Sequence, residues 1–142
     1  MDLNNNKMTI SDNLNWTNEH FLIADDDYYS YLLIEKILRK TGAKVDYVSN
    51  GADALNKIVP NSTYTVVILD ILMPKLSGFE VIEAARAIRP DIKFIAYSAD
   101  VLNINKKKCM NVGFHACIVK PSLPSKLMDT LKEVLILRSE LS

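Results

Sequence analysis

The sequence predicts an α/β fold, a doubly wound five-stranded parallel sheet with five helices. Two observations carry this. From Phe21 onward, short apolar runs, several rich in Val and Ile, alternate strictly with longer segments of helical spacing. Parallel strands need crossover connections, and helices supply them. A third observation sets the scale: 142 residues with 49% hydrophobic content suit one domain with a full core.

The elements follow in order. Residues 1–18 form an Asn-rich polar tail with little periodicity, in which Trp16 is the one residue suited to pin it to the domain. The domain is expected over 19–138, followed by a short tail over 139–142. The apolar runs at 21–24, 45–48, 66–69, 94–97 and 116–119 read as buried strands. Leu33, Ile34, Ile37 and Leu38 share one face of a first helix that runs to about Lys40, with Thr41-Gly42 closing it. Ala54, Leu55 and Ile58 mark a shorter second helix ended by Pro60. Phe79, Val81, Ile82, Ala85 and Ile88 mark a third, stopped by Pro90. The segment 101–111 is the weakest, because Lys106-Lys107-Lys108 interrupts its apolar side. The last helix starts at Pro124, which suits a first helical position, and carries Leu127, Met128, Leu131, Val134 and Leu135.

Composition narrows the function classes. Lys+Arg and Asp+Glu both number 17, so the net charge is zero, which argues against direct nucleic-acid binding. No apolar run approaches the roughly 20 residues that span a bilayer, and the polar N-terminus lacks a secretory apolar stretch. Cys109 and Cys117 are the only cysteines and make no zinc framework. They are expected as reduced thiols in a cytoplasmic protein without a disulfide.

Ligands of open parallel sheets sit beyond the carboxyl ends of the strands. There the sequence places Asp25-Asp26-Asp27 after the first strand, Asp70 after the third, Ser98-Ala99 after the fourth and Lys120-Pro121 after the fifth. Each alone is an ordinary cap or turn residue; together they converge on one edge. Carboxylates held within several ångströms raise one another's pKa and stay ionised together when a cation sits among them. Oxygen-only donors favour a hard ion such as Mg²⁺. A lysine and a hydroxyl complete a cradle for phosphoryl oxygens, and an aspartate inside it can act as nucleophile.

These residues resemble the receiver domain of two-component response regulators, a flavodoxin- or CheY-like (βα)5 fold with strand order 2-1-3-4-5. The matching stretches are FLIADDD at 21–27, TGAKVDYVSNGADAL at 41–55, VVILDILMPKLSGFEVI at 66–82, FIAYSAD at 94–100 and CIVKP at 117–121. The resemblance implies Asp70 as phosphoacceptor. It implies Asp26 as a direct metal ligand, Asp25 as one acting mostly through metal-bound water, and the Leu72 backbone carbonyl as a further ligand. Asp27 is then a helix residue, Gly78 the glycine of the turn after the phosphorylation loop, and Pro121 a candidate for a cis peptide bond. Ser98, with Ala99 beside it, and Lys120 match the residues that bind the phosphoryl group and throw the switch. The cofactor implied is Mg²⁺, for which Mn²⁺ could substitute.

The partners implied are a histidine kinase or histidine phosphotransfer protein and a downstream protein target not identifiable from sequence, with no membrane contact and a monomer or weak homodimer. Phosphorylation would switch the face formed by the fourth helix, fifth strand and fifth helix. The chain would be a phosphoacceptor that slowly dephosphorylates itself, not a turnover enzyme. Apolar Leu72 offers nothing to position attacking water, and Asp100 either does so or caps the next helix; a longer-lived phosphoryl group is expected.

One position departs from the pattern. Three residues before Lys120 the family usually carries Tyr or Phe, and here stands Cys117. It reads as a small buried residue, with Phe114 or Tyr97 as candidates for the aromatic role. Competing readings are a receiver-shaped scaffold that no longer switches, the excised receiver of a hybrid sensor kinase, a Mg²⁺-dependent aspartyl phosphatase and a flavin binder. Leu72 replaces the second acid such a phosphatase needs, and three carboxylates stand where a flavin phosphate would bind.

Overall fold

The computed structural model describes residues 14–99 and 106–141, with side chains described through residue 136. The five strands are β1 (His20–Ala24), β2 (Lys44–Val48), β3 (Val66–Leu69), β4 (Lys93–Ser98) and β5 (Ala116–Val119). They form one parallel sheet in the order β2-β1-β3-β4-β5. Five helices are described: α1 (Tyr28–Arg39), α2 (Gly51–Lys57), α3 (Gly78–Ile88), α4 (Lys106–Val112) and α5 (Pro124–Leu141). The fold is the doubly wound CheY-like one that the sequence predicts.

Strand alternation splits the core into two layers. Leu22, Ala24, Val67, Leu69, Phe94 and Ala96 face one side and pack with Ala54 and Ile58 of the α2 segment, Val81, Ile82 and Ala85 of α3 and Cys109 of α4. Phe21, Ile23, Val66, Ile68, Ile95, Tyr97 and Ile118 face the other and pack with Ile34 and Leu38 of α1 and Leu127, Leu131 and Val134 of α5. Strands buried on both faces explain why their sequences are continuous apolar runs.

Local chemistry sets the boundaries. Asp27 caps α1, accepting from the Tyr29 N–H at 3.0 Å. Asn50 caps α2 by accepting from the Asp53 N–H at 2.8 Å. Ser77 and Glu80 make a reciprocal capping box on α3. Gly42 takes φ 82° just past α1, the left-handed turn expected of Thr41-Gly42.

Two elements differ from expectation. β4 extends through Ser98, because the Lys120 N–H donates to the Ser98 carbonyl at 2.9 Å and prolongs the ladder. The fourth helix, expected over 101–111, is described from Lys106, and its lysine triplet is the exposed first turn instead of a break. Asp100 and the start of that expected helix lie outside the described residues, as do residues 1–13 of the N-terminal tail. Trp16 does contact the domain: its backbone N–H donates to the Thr41 carbonyl at 2.8 Å, and its ring stacks on Phe21 with centroids 6.1 Å apart. No helix among the described residues is long and apolar enough to cross a membrane.

Candidate functional site

Register builds the site. β1 and β3 are aligned so that Ala24 pairs with Leu69. The next residue on each strand is therefore Asp25 and Asp70, side by side, and the Asp70 N–H donates to the Ala24 carbonyl at 2.9 Å. Ligand oxygens of Asp25, Asp26 and Asp70 lie within 4.8 Å of one another. Asp25 and Asp70 are 1% and 6% exposed, whereas Asp26 faces solvent. Two buried carboxylates and one exposed one thus form a pocket open on one side.

Lys120, just past the end of β5, supplies the charge that makes this tolerable. Its Nζ lies 2.6 Å from Asp25 Oδ2 and 3.1 Å from Asp70 Oδ2. Burial pushes the Asp25 carboxyl up to about 6, and the Lys120 hydrogen bond and the Asp27 N–H only partly counter it. Burial would lower the Lys120 ammonium, but the Asp25 and Asp70 carboxylates outweigh it and hold it above the ordinary lysine value. The same ammonium sits 5.4 Å from the centroid of the buried Tyr97 ring. Phe114, the other aromatic candidate, packs edge-on against Phe79 on the opposite face of the sheet.

The remaining residues fall around this pocket. Ser98 is buried at the end of β4, while Ala99 is exposed. The Leu72 N–H donates to Asp70 Oδ1 at 3.2 Å, and its side chain is exposed. Asp27 points into its helix cap, and its N–H donates to Asp25 Oδ1 at 2.9 Å. The Lys120–Pro121 peptide is cis. Cys117 is half-buried on β5, away from the carboxylates and beside Cys109.

Sequence reasoning overlooked Tyr47. Its hydroxyl donates to the Asp25 carbonyl at 2.8 Å, and its ring stacks on Tyr31 at 4.3 Å, bracing the β1–α1 turn from the edge strand. Burial, reinforced by the Asp25, Asp26 and Asp27 charges, raises its phenol above the ordinary value. The signal available was weak: a tyrosine one residue before the end of an edge strand.

A pocket of oxygen donors with a lysine bridging two of them is chemically suited to a hard cation and to phosphoryl oxygens. The family model for the response regulator receiver domain matches residues 21–132. The chain belongs to this receiver domain family. The receiver is 34% identical over 122 residues to hybrid signal transduction histidine kinase L of Dictyostelium discoideum, covering 79% of this chain and 7% of that kinase. It is 30% identical over 125 residues to the sensory/regulatory protein RpfC of Xanthomonas campestris, covering 85% of this chain and 17% of that protein. The chain therefore spans a small fraction of these relatives' length. Among solved structures, a CheY-like receiver domain protein from Methanospirillum hungatei superposes with a TM-score of 0.80 at 29% identity, covering 87% of this chain and 98% of that one. The protein is thus a receiver domain of the two-component type, a class that includes receivers of hybrid histidine kinases.

Proposed function

We propose that Asp70 is the phosphoacceptor of this receiver and takes its phosphoryl group from a phosphohistidine on a histidine kinase or phosphotransfer protein. The observation that carries this is the juxtaposition of Asp25, Asp26 and Asp70 within 4.8 Å, with Lys120 bridging Asp25 and Asp70. Asp25, Asp26, Asp70 and the Leu72 backbone carbonyl are the groups that would hold Mg²⁺, or Mn²⁺ in its place. The donor set is all oxygen, three carboxylates and one carbonyl, as suits a hard divalent ion. When bound, the ion neutralises charge on the phosphoryl oxygens.

The chain's own residues do the rest. An Asp70 carboxylate oxygen forms a bond to phosphorus as the P–N bond to the donor imidazole breaks. Lys120, already beside Asp70, exchanges carboxylate contacts for a phosphoryl oxygen. Ser98, with Ala99 beside it, closes the cradle from β4. Because Lys120 follows β5 directly, its movement and that of Ser98 bear on the α4-β5-α5 face, which passes the signal to a downstream protein. The reaction is a single acceptance followed by slow self-dephosphorylation, with apolar Leu72 giving no help to water.

The test is incubation with Mg²⁺ and acetyl phosphate, read by intact mass. One added phosphoryl group is expected, lost in Asp70→Asn and in chelator. Addition that persists in Asp70→Asn would move the acceptor elsewhere.

A further inference from the structure

Cys109 and Cys117 belong to different elements, α4 and β5, and neither contributes to the acidic pocket. Their Sγ atoms are 3.4 Å apart and both thiols are free. Cys109 is fully buried beneath α4, among Phe94, Ala96 and Phe114 of the same core layer. Cys117 is half-buried, so it is the more accessible of the two. We propose that these two residues form a dithiol modification site that oxidises to an intramolecular disulfide, tethering α4 to β5.

The geometry is close to what the bond needs. A disulfide has an S–S distance of about 2.05 Å, so the sulfurs must approach by about 1.4 Å from their 3.4 Å separation. Side-chain rotation on two adjoining elements supplies movement of that size. The sequence separation is only eight residues, yet the chain reverses between them through Gly113, which takes φ 115°. That turn brings the α4 cysteine over the β5 cysteine.

The oxidant class is a small disulfide such as oxidised glutathione. The Cys117 thiol gives its proton to solvent, and its thiolate attacks one glutathione sulfur. The first glutathione leaves as a thiolate and takes up a proton. The Cys109 thiol, likewise deprotonated, then attacks Cys117 Sγ, and the second glutathione leaves. Two protein thiols are oxidised and one glutathione disulfide is reduced to two thiols. Burial, with Cys109 beside it, pushes the Cys117 thiol up to about 12, so the first step is slow. The second is intramolecular and needs no encounter. A mixed disulfide on Cys117 is therefore transient while Cys109 is in place.

The experiment treats the full chain with millimolar oxidised glutathione over hours at mildly alkaline pH, quenches by alkylation and reads intact mass. The expected product has lost two hydrogens, and the loss maps to the peptide spanning residues 109–117. Its thermal midpoint rises and returns with reductant. In Cys109→Ala a stable single glutathione adduct on Cys117 is expected instead. A persistent glutathione adduct on the wild-type chain, a disulfide-linked dimer, or two thiols still free when the unfolded chain has reacted under the same oxidant would each overturn the proposal. None of these readings depends on phosphorylation of Asp70.

Discussion

A carboxylate that is 1% exposed and shares its cavity with a second one raises the free energy of the folded protein when ionised. Asp25 carries that cost, with its carboxyl pushed up to about 6. Between the ordinary aspartate value and about 6, the folded protein keeps a proton that the unfolded chain releases. Stability of the metal-free protein therefore falls as pH rises through that window, by about 1–3 kcal/mol. Asp25→Asn keeps an acceptor for the Asp27 N–H and removes the charge. In divalent-free buffer it is expected to be more stable than wild type at pH 7.5 by about 1–3 kcal/mol, with the difference shrinking toward pH 4. Urea midpoints at the two pH values check this; a less stable variant at pH 7.5 would contradict it. A second residue-scale case lies at the opposite edge of the sheet. Burial raises the Asp46 carboxyl, but hydrogen bonds from Tyr64 at 2.7 Å and His20 at 3.0 Å outweigh it and leave it lowered. That stabilisation is present above the ordinary aspartate value and is lost as pH falls through the folded one. Tyr64→Phe should cost about 1–2 kcal/mol at neutral pH, and the cost should fade only as pH falls below the ordinary aspartate value and the folded Asp46 carboxylate takes up its proton. Denaturant midpoints against pH measure it. The sequence announced Asp25, Asp26 and Asp70 as neighbours because each ends an apolar run and parallel register does the rest. It gave no sign of the His20–Asp46–Tyr64 cluster or the Cys109–Cys117 contact, because those depend on how side chains of separate elements happen to meet.

At the scale of elements, the loop after Asp70 is held by two helix N-termini whose first residues are glycines. A Cβ at Gly78 would stand 2.5 Å from the Asp70 carbonyl oxygen, and one at Gly51 would stand 2.1 Å from the Leu76 carbonyl oxygen. Both obstacles are backbone, so neither can swing aside. The Gly78 N–H also donates to the Ile71 carbonyl at 2.8 Å, which folds the loop back under the phosphoacceptor candidate. Gly78→Ala is expected to destabilise by about 1–3 kcal/mol through overpacking and to slow phosphoryl uptake from acetyl phosphate, because the displaced atoms are those of Asp70 itself. Ser77→Ala is the contrast. Losing the capping box should cost about 1 kcal/mol while leaving uptake near wild type. Paired stability and uptake measurements separate the two; equal uptake in both variants would show that Gly78 does not seat Asp70. Element types were legible because short continuous apolar runs are distinct from longer segments of 3.6-residue spacing, with 101–111 the weakest of them. Ends were less so. Ser98 joined β4 through a bond from Lys120, the residue just past β5, which no local pattern records.

For the molecule as a whole, the two core layers share every central strand, so neither can be lost alone. Leu22 and Ala24 face one layer, and Phe21 and Ile23 on the same strand face the other. Melting α2, α3 and α4 away would expose one face of β1, β3 and β4 while the other remained packed, and a parallel sheet is not stable half-covered. Trp16, the single tryptophan in the sequence, reports on this coupling. Among the described residues it packs against the α1–α5 layer, with its ring on Phe21 and its backbone N–H on the Thr41 carbonyl. Far-UV circular dichroism, by contrast, is dominated by helices from both layers. If the layers are one cooperative unit, the urea transition seen by tryptophan fluorescence and that seen by circular dichroism coincide in midpoint and slope. A fluorescence transition that comes first would mean that the strap around Trp16 detaches before the sheet, and one that comes last would mean that the α2–α4 layer melts independently. Coincidence is the expected result, because the β1–β3 register that joins Asp25 to Asp70 also joins the two halves of the core.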